Sequence, residues 1–176
     1  MKVVAFGASN SKSSINQKLA AYAAGMISGA QVELLDLNDY EMPIYSEDRE
    51  KQLGGQPEAA HQFYKKIGEA DAVIISFAEH NGSYTAAYKN LFDWTSRIDM
   101  KVYQGKPVLL LATSPGPGGA ATVLGAAKGS APYFGMDVRA DLSLASFYDA
   151  FDMEAGVITD DSKATELAVA VNKLTA

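Results

Sequence analysis

Residues 72–94, AVIISFAEHNGSYTAAYKNLFDW, carry the reading of this chain. Ala72–Phe77 is a short apolar run suited to a buried strand. The turn-forming pair Asn81-Gly82 interrupts it, and Leu91, Trp94 and Ile98 then recur at helical spacing. Gly82 permits a positive φ and Asn81 tolerates one. A second passage has the same form. Val3–Phe6 is apolar, and Gly7–Asn16 (GASNSKSSIN) leads from it into another helical pattern. Open α/β sheets bind ligands outside the carboxyl ends of their strands, where strand order reverses. Two such loops point to one ligand held between them.

The rest of the chain alternates in the same way. Strands are expected at Lys2–Gly7, Gln31–Leu37, Ala72–Phe77, Pro107–Thr113 and Asp137–Leu144. Helices are expected at Ile15–Ile27, Pro57–Gly68, Ala86–Ile98, Ala120–Phe134 and Ser162–Leu174. Tyr40–Asp48 reads as a loop, followed by a polar, glycine-containing stretch through Gln56. Ser146–Thr159 reads as a long connection whose Phe147, Tyr148, Phe151 and Met153 would cover a site or meet another subunit. This pattern predicts one domain over residues 1–176. It is an α/β, three-layer, flavodoxin-like sandwich with a five-stranded parallel sheet in the order 2-1-3-4-5.

Composition narrows the function classes. The chain has 176 residues, 48% hydrophobic and 20% charged, with formal net charge −6. Its 15 basic residues are scattered, so neither nucleic acid nor an anionic membrane surface is an expected partner. With no cysteine and only His61 and His80, no metal site is expected, and a reducing, cytoplasmic compartment fits. No apolar run approaches the ~18–20 residues of a membrane span, and the N-terminus reads as a first strand rather than a secretory signal. Small-molecule chemistry is what remains.

Three loops could supply it. In the first, Ser9, Ser11, Ser13, Ser14 and Asn16 place hydroxyls, an amide and backbone N–H groups at a helix start, an arrangement that suits phosphate. It is neither a GxGxxG nor a Walker A sequence. An ordinary N-cap in a serine-rich turn is the plain alternative. In the second, Glu79–Ser83 offers backbone groups to the edge of a flat heterocycle, against a plain strand-to-helix turn capped by Ser83 or Thr85. His80 is more often a surface or stacking residue than an acid or base. In the third, Ser114–Gly119 is either a tight Pro/Gly connection or a further row of N–H donors.

Together these segments resemble the NADPH-dependent FMN reductase family, which includes azo, quinone and chromate reductases. The family's first loop, roughly GSxRxxSxN, aligns with Ala8–Asn16. Its most specific motif, roughly PEYNGSxPGxLKNxxDW, aligns with Ala78–Trp94, where Glu79, Asn81, Gly82, Ser83, Lys89, Asn90, Asp93 and Trp94 match. Its SPGxxGG segment matches Ser114-Pro115-Gly116 and Gly118-Gly119, with weaker echoes at Pro43, Tyr45 and Phe151-Asp152. The resemblance implies FMN as cofactor, its phosphate on Ser9, Ser11, Ser14 and Asn16 with Ile15 beside them. Glu79, His80, Asn81 and Gly82 would border the ring on one side, and Ser114, Pro115 and Gly116 on the other. It further implies NAD(P)H as reductant, hydride transfer through flavin N5, and a ping-pong scheme passing electrons to quinone, azo or flavin acceptors. No side chain need be catalytic, because the flavin carries the chemistry. A homodimer or homotetramer is implied as well.

The chain departs from the family pattern at Ala8 (usually Gly), Ser11 (usually Arg), Ala78 and Thr85 (usually Pro) and His80 (usually Tyr). Losing the arginine removes a charge suited to phosphate, which leaves NADPH against NADH open. The departures at Ser11 and His80 also keep a second expectation in play, a flavodoxin-like electron carrier without its own NAD(P)H turnover.

Overall fold

The computed structural model describes residues 1–176 in full. Seven helices and nine strands follow in the order β1 (Lys2–Ala8), α1 (Ile15–Gly25), β2 (Gln31–Leu34), α2 (Glu47–Leu53), α3 (Glu58–Glu69), β3 (Ala72–Phe77), β4 (Glu79–His80), β5 (Ser83–Tyr84), α4 (Ala86–Ser96), β6 (Lys106–Thr113), α5 (Ala121–Ser130), β7 (Met136–Leu144), α6 (Phe147–Ala150), β8 (Phe151–Asp152), β9 (Val157–Ile158) and α7 (Asp161–Thr175). Short 3-10 turns lie at Leu37–Tyr40 and Ala131–Phe134. The main sheet runs β2-β1-β3-β6-β7, all parallel. Counting only its own strands, that is the expected order 2-1-3-4-5.

Burial explains which runs became central. Every residue of β3 is buried, as a strand covered on both faces requires. The edge strand β7 alternates half-buried and exposed residues along most of its length. Strand residues point alternately to two cores. Val4, Phe6, Val73, Ile75, Phe77 and Leu110 meet α3, α4 and α5 through Phe63, Tyr88 and Val123. Val3, Ala5, Ile74, Leu109 and Leu111 meet α1 and α7 through Leu19, Ala20, Ala23, Ala24 and Leu167. Three of those five contact residues are alanines, and such small side chains let helix and sheet approach closely.

Several expectations are corrected. The stretch through Gln56 contains a helix, α2, capped by the Ser46 hydroxyl on the Arg49 N–H and ended by Gly54 at φ 73°. None of its residues is buried, so no apolar periodicity marks it. Strand two stops at Leu34, because Asp36 turns back to cap the following 3-10 turn through the Asn38 N–H. The Glu79–Ser83 turn is a two-residue hairpin, β4 against β5, with Asn81 at φ 53° and Gly82 at φ 74°. The long aromatic connection is not an exposed flap. Phe147 and Phe151 are buried and stack at 4.7 Å, Tyr22 of α1 packs edge-on against Phe151, and only Tyr148 and Met153 are exposed. Trp94 is fully buried.

Candidate active site

Loop one owes its shape to the first turn of α1. Ser14 caps it, its Oγ accepting from the Gln17 N–H at 3.2 Å. Gln17 then joins β1 to the residue after β2, its Oε1 accepting from the Gly7 N–H and its Nε2 donating to the Leu35 carbonyl at 2.9 Å. Asn16, 2% exposed, joins β3 to β6. Its Oδ1 accepts from Ser76 Oγ (2.7 Å) and the Thr113 N–H (3.0 Å), and its Nδ2 donates to the Thr113 carbonyl (3.0 Å). Gly7 leaves room for this approach: a Cβ there would lie 2.8 Å from Gln17 Cα. The side chains of Asn16 and Gln17 are therefore committed to the sheet. What α1 presents outward is its first N–H groups, those of Ile15 and Asn16, which precede the first intrahelical bond.

These groups open on a cleft of about 240 Å³. Of the sequence-derived candidates, Ser9, Ser11, Ser14, Ile15, Asn16, Glu79, His80, Ser114 and Pro115 line it together. Asn81, Gly82 and Gly116 do not: the first two form the hairpin tip, and the Gly116 carbonyl accepts from the Ser146 N–H. Ser13 of the serine cluster, Ala78 of the Ala78–Trp94 motif and Tyr148 of the aromatic connection line it as well, and Thr113 is the lining residue that sequence reading did not single out. Thr113 closes the apolar run of β6 and carried no local signal of its own. Ser9, Ser11 and Ser13 keep exposed or half-exposed hydroxyls, so the donor set at this end is hydroxyls plus helix N–H groups. That set fits a phosphate.

Glu79 behaves otherwise than a ring-facing residue. Its Oε2 accepts from the Val123 N–H at 2.8 Å, capping the first turn of α5 and joining the hairpin to the segment after loop three. Thr85 ties the other side of the hairpin to loop one, its hydroxyl donating to the Ala8 carbonyl at 2.8 Å and accepting from the Tyr88 N–H.

A second cleft, of about 300 Å³, adjoins the first at His80, which lines both. Its apolar wall is Leu37, Tyr40, Met42, Ile44, Ala86 and Ala87, and its remaining lining is Asn10, Asn38, Glu41, Thr85 and Asn90. Burial, and then the Glu33 and Asp39 carboxylates, raise the Tyr40 phenol above its ordinary range and keep it protonated. The motif residues of α4 hold this wall in place. Asn90 accepts from the Tyr45 N–H and donates to the Met42 and Pro43 carbonyls, and Trp94 Nε1 donates to the Pro43 carbonyl at 2.7 Å. Lys89 and Asp93 form a surface ion pair one turn apart.

Known proteins are similar in sequence and in fold. The family model for NADPH-dependent FMN reductases matches residues 1–149. The chain is 30% identical over 172 residues to an NAD(P)H-dependent FMN reductase of Pseudomonas aeruginosa, covering 95% of this chain and 89% of that protein. It is 26% identical to a 2-hydroxy-1,4-benzoquinone reductase of a Burkholderia species, covering 93% and 88%. Among solved structures, the flavoenzyme NAD(P)H:(acceptor) oxidoreductase FerB of Paracoccus denitrificans superposes with TM-score 0.79 at 28% identity, covering 98% of this chain and 94% of that one. The chain belongs to the NADPH-dependent FMN reductase family. It is an oxidoreductase of that family, with FMN as cofactor and NAD(P)H as reductant. No helix is long and apolar enough to cross a membrane.

Proposed function

We propose that the first cleft holds FMN and that the protein uses NAD(P)H to reduce quinone-type acceptors in a ping-pong scheme. The observation that carries this is the convergence of the Ile15 and Asn16 N–H groups with the Ser9, Ser11 and Ser13 hydroxyls on one cleft. Ala78, Glu79 and His80 and the Ser114-Pro115 pair line the same cleft. When bound, FMN supplies two-electron chemistry, taking hydride from the nicotinamide and passing it on. The chain's own residues bind and orient. The helix terminus and serines would hold the phosphate, and the backbone of residues 78–80 with Ser114 and Pro115 would border the ring. Asn81, Gly82 and Gly116 lie outside this cleft and would act only as backbone neighbours of the ring.

The nature of the acceptor comes by similarity from the benzoquinone reductase relative. The resemblance also points to a homodimer or homotetramer in the cytoplasm, and sedimentation of the purified protein tests the assembly.

The test of function is to load purified protein with FMN, desalt it and add NADH or NADPH anaerobically. Retained flavin absorbance that bleaches directly supports the reading. A colourless protein overturns it. Retained flavin that bleaches only with a separate reductase would make the chain an electron carrier.

A further inference from the structure

We propose that the second cleft receives a flat, uncharged quinone and that His80, at the junction of the two clefts, donates a proton to its oxygen. The inference rests on the flavin reading of the first cleft. No lysine or arginine lines the second cleft, so it offers nothing to an anionic acceptor. Half of its wall is apolar, with Tyr40 and Met42 suited to a planar ring. Its polar side chains are largely spent within the fold. Asn38 donates to the Asn10 carbonyl and Asp36, Thr85 bonds Ala8 and Tyr88, and Asn90 bonds residues 42, 43 and 45.

His80 lines both clefts where they meet, and its exposure gives water access to its ring N–H groups. The titratable groups lining the clefts around it are Glu79, Tyr148, Glu41 and Tyr40. Glu79 is engaged by Val123, and Tyr40 is held protonated by burial. Reducing a quinone to a hydroquinone takes two electrons and two protons. The reduced cofactor delivers both electrons and one proton as hydride. The second proton leaves the His80 imidazolium as its N–H bond breaks and the quinone O–H bond forms. A tyrosine, the usual residue at this position in the family pattern, would be a far weaker acid in that role.

The test uses the FMN-loaded protein. Ferricyanide takes electrons without a proton, so the ratio of 1,4-benzoquinone to ferricyanide turnover isolates the proton step. His80→Gln is expected to lower that ratio by about 100-fold and to remove a break in its pH profile. Binding is read separately by proton NMR of the oxidised protein, where no electrons are available. Two histidines are present, so His61→Gln assigns the ring signals. Adding 1,4-naphthoquinone should shift the His80 signals and leave those of His61 in place. If neither histidine responds, or if the ratio and profile of His80→Gln match the unmodified protein, the inference falls. Wild-type protein that holds no FMN removes the first-cleft reading as well. Retained FMN that NADH reduces, together with either negative result, removes this one alone.

Discussion

Loop one and the hairpin line the same cleft, yet they are anchored differently. Loop one is braced from beneath. Asn16 and Gln17 place their amides on residues from four parts of the sheet region: Gly7, Leu35, Ser76 and Thr113. The hairpin is braced from its sides, by the Glu79 carboxylate on α5 and the Thr85 hydroxyl on Ala8, while His80, Asn81 and Gly82 stay exposed. The contrast separates two duties of a polar residue. An amide engaged by the sheet fixes where the donors stand. An exposed hydroxyl or imidazole is free to meet a ligand.

Breaking the buried brace should have the largest effect. Asn16→Ala leaves the Thr113 N–H and carbonyl and the Ser76 hydroxyl without partners, and should cost about 3 kcal/mol or more, read by urea unfolding. An Asn16→Ala protein no less stable than a Glu79 variant would erase the contrast. Changing an exposed position in the same loop should alter binding instead of stability. Ser11→Arg adds a charge beside the phosphate donors and should tighten FMN about tenfold, an increment of ~1.4 kcal/mol, with a gain that shrinks as salt is raised. Isothermal titration at two salt concentrations measures it.

Beneath the hairpin, Tyr84 packs on Tyr88, whose hydroxyl meets that of Tyr103 at 2.8 Å in full burial. Tyr103→Phe should cost about 1 kcal/mol, and Tyr88→Phe added to it should restore part of that loss, because the double change strands no hydroxyl. Burial holds both phenols protonated well above the ordinary tyrosine range. The unfolded chain releases these protons from about pH 10 upward while the folded chain keeps them. Their contribution is therefore complete below that pH and is lost as pH rises toward the folded values. Denaturation midpoints measured above pH 10 should fall less steeply in the double phenylalanine variant. Smallest of the four, Glu79→Ala removes one helix cap and should cost about 1 kcal/mol or less. Glu79→Gln keeps an acceptor oxygen and should recover much of it, as read by thermal unfolding.

Much of this was legible in the linear chain. Ala72–Phe77 was read as the buried central strand it is, because a strand covered on both faces needs an unbroken apolar run. The Asn81-Gly82 pair announced positive φ values, since those residues adopt them at least cost. The serine cluster after β1 marked the donors that line the first cleft. Hydrophobic periodicity and turn chemistry are local, so the sequence alone determined which segments form strands and where the loops fall, while the strand order followed from the topology common to alternating α/β chains.

Tertiary structure decided what each polar residue does. Nothing local distinguishes Asn16, whose partner Thr113 lies 97 positions away, from a ligand-binding asparagine. Nor could Glu79 announce a bond to Val123, 44 positions on. Helix α2 escaped notice because it buries nothing. Phe147 and Phe151 looked exposed because their cover, α1 and α7, comes from both ends of the chain. The second cleft is assembled from residues 10, 37–44, 80 and 85–90 and exists only once the sheet brings them together. Local sequence sets which conformations are inexpensive; a hydrogen bond or cavity shared by distant segments depends on where folding places its other half.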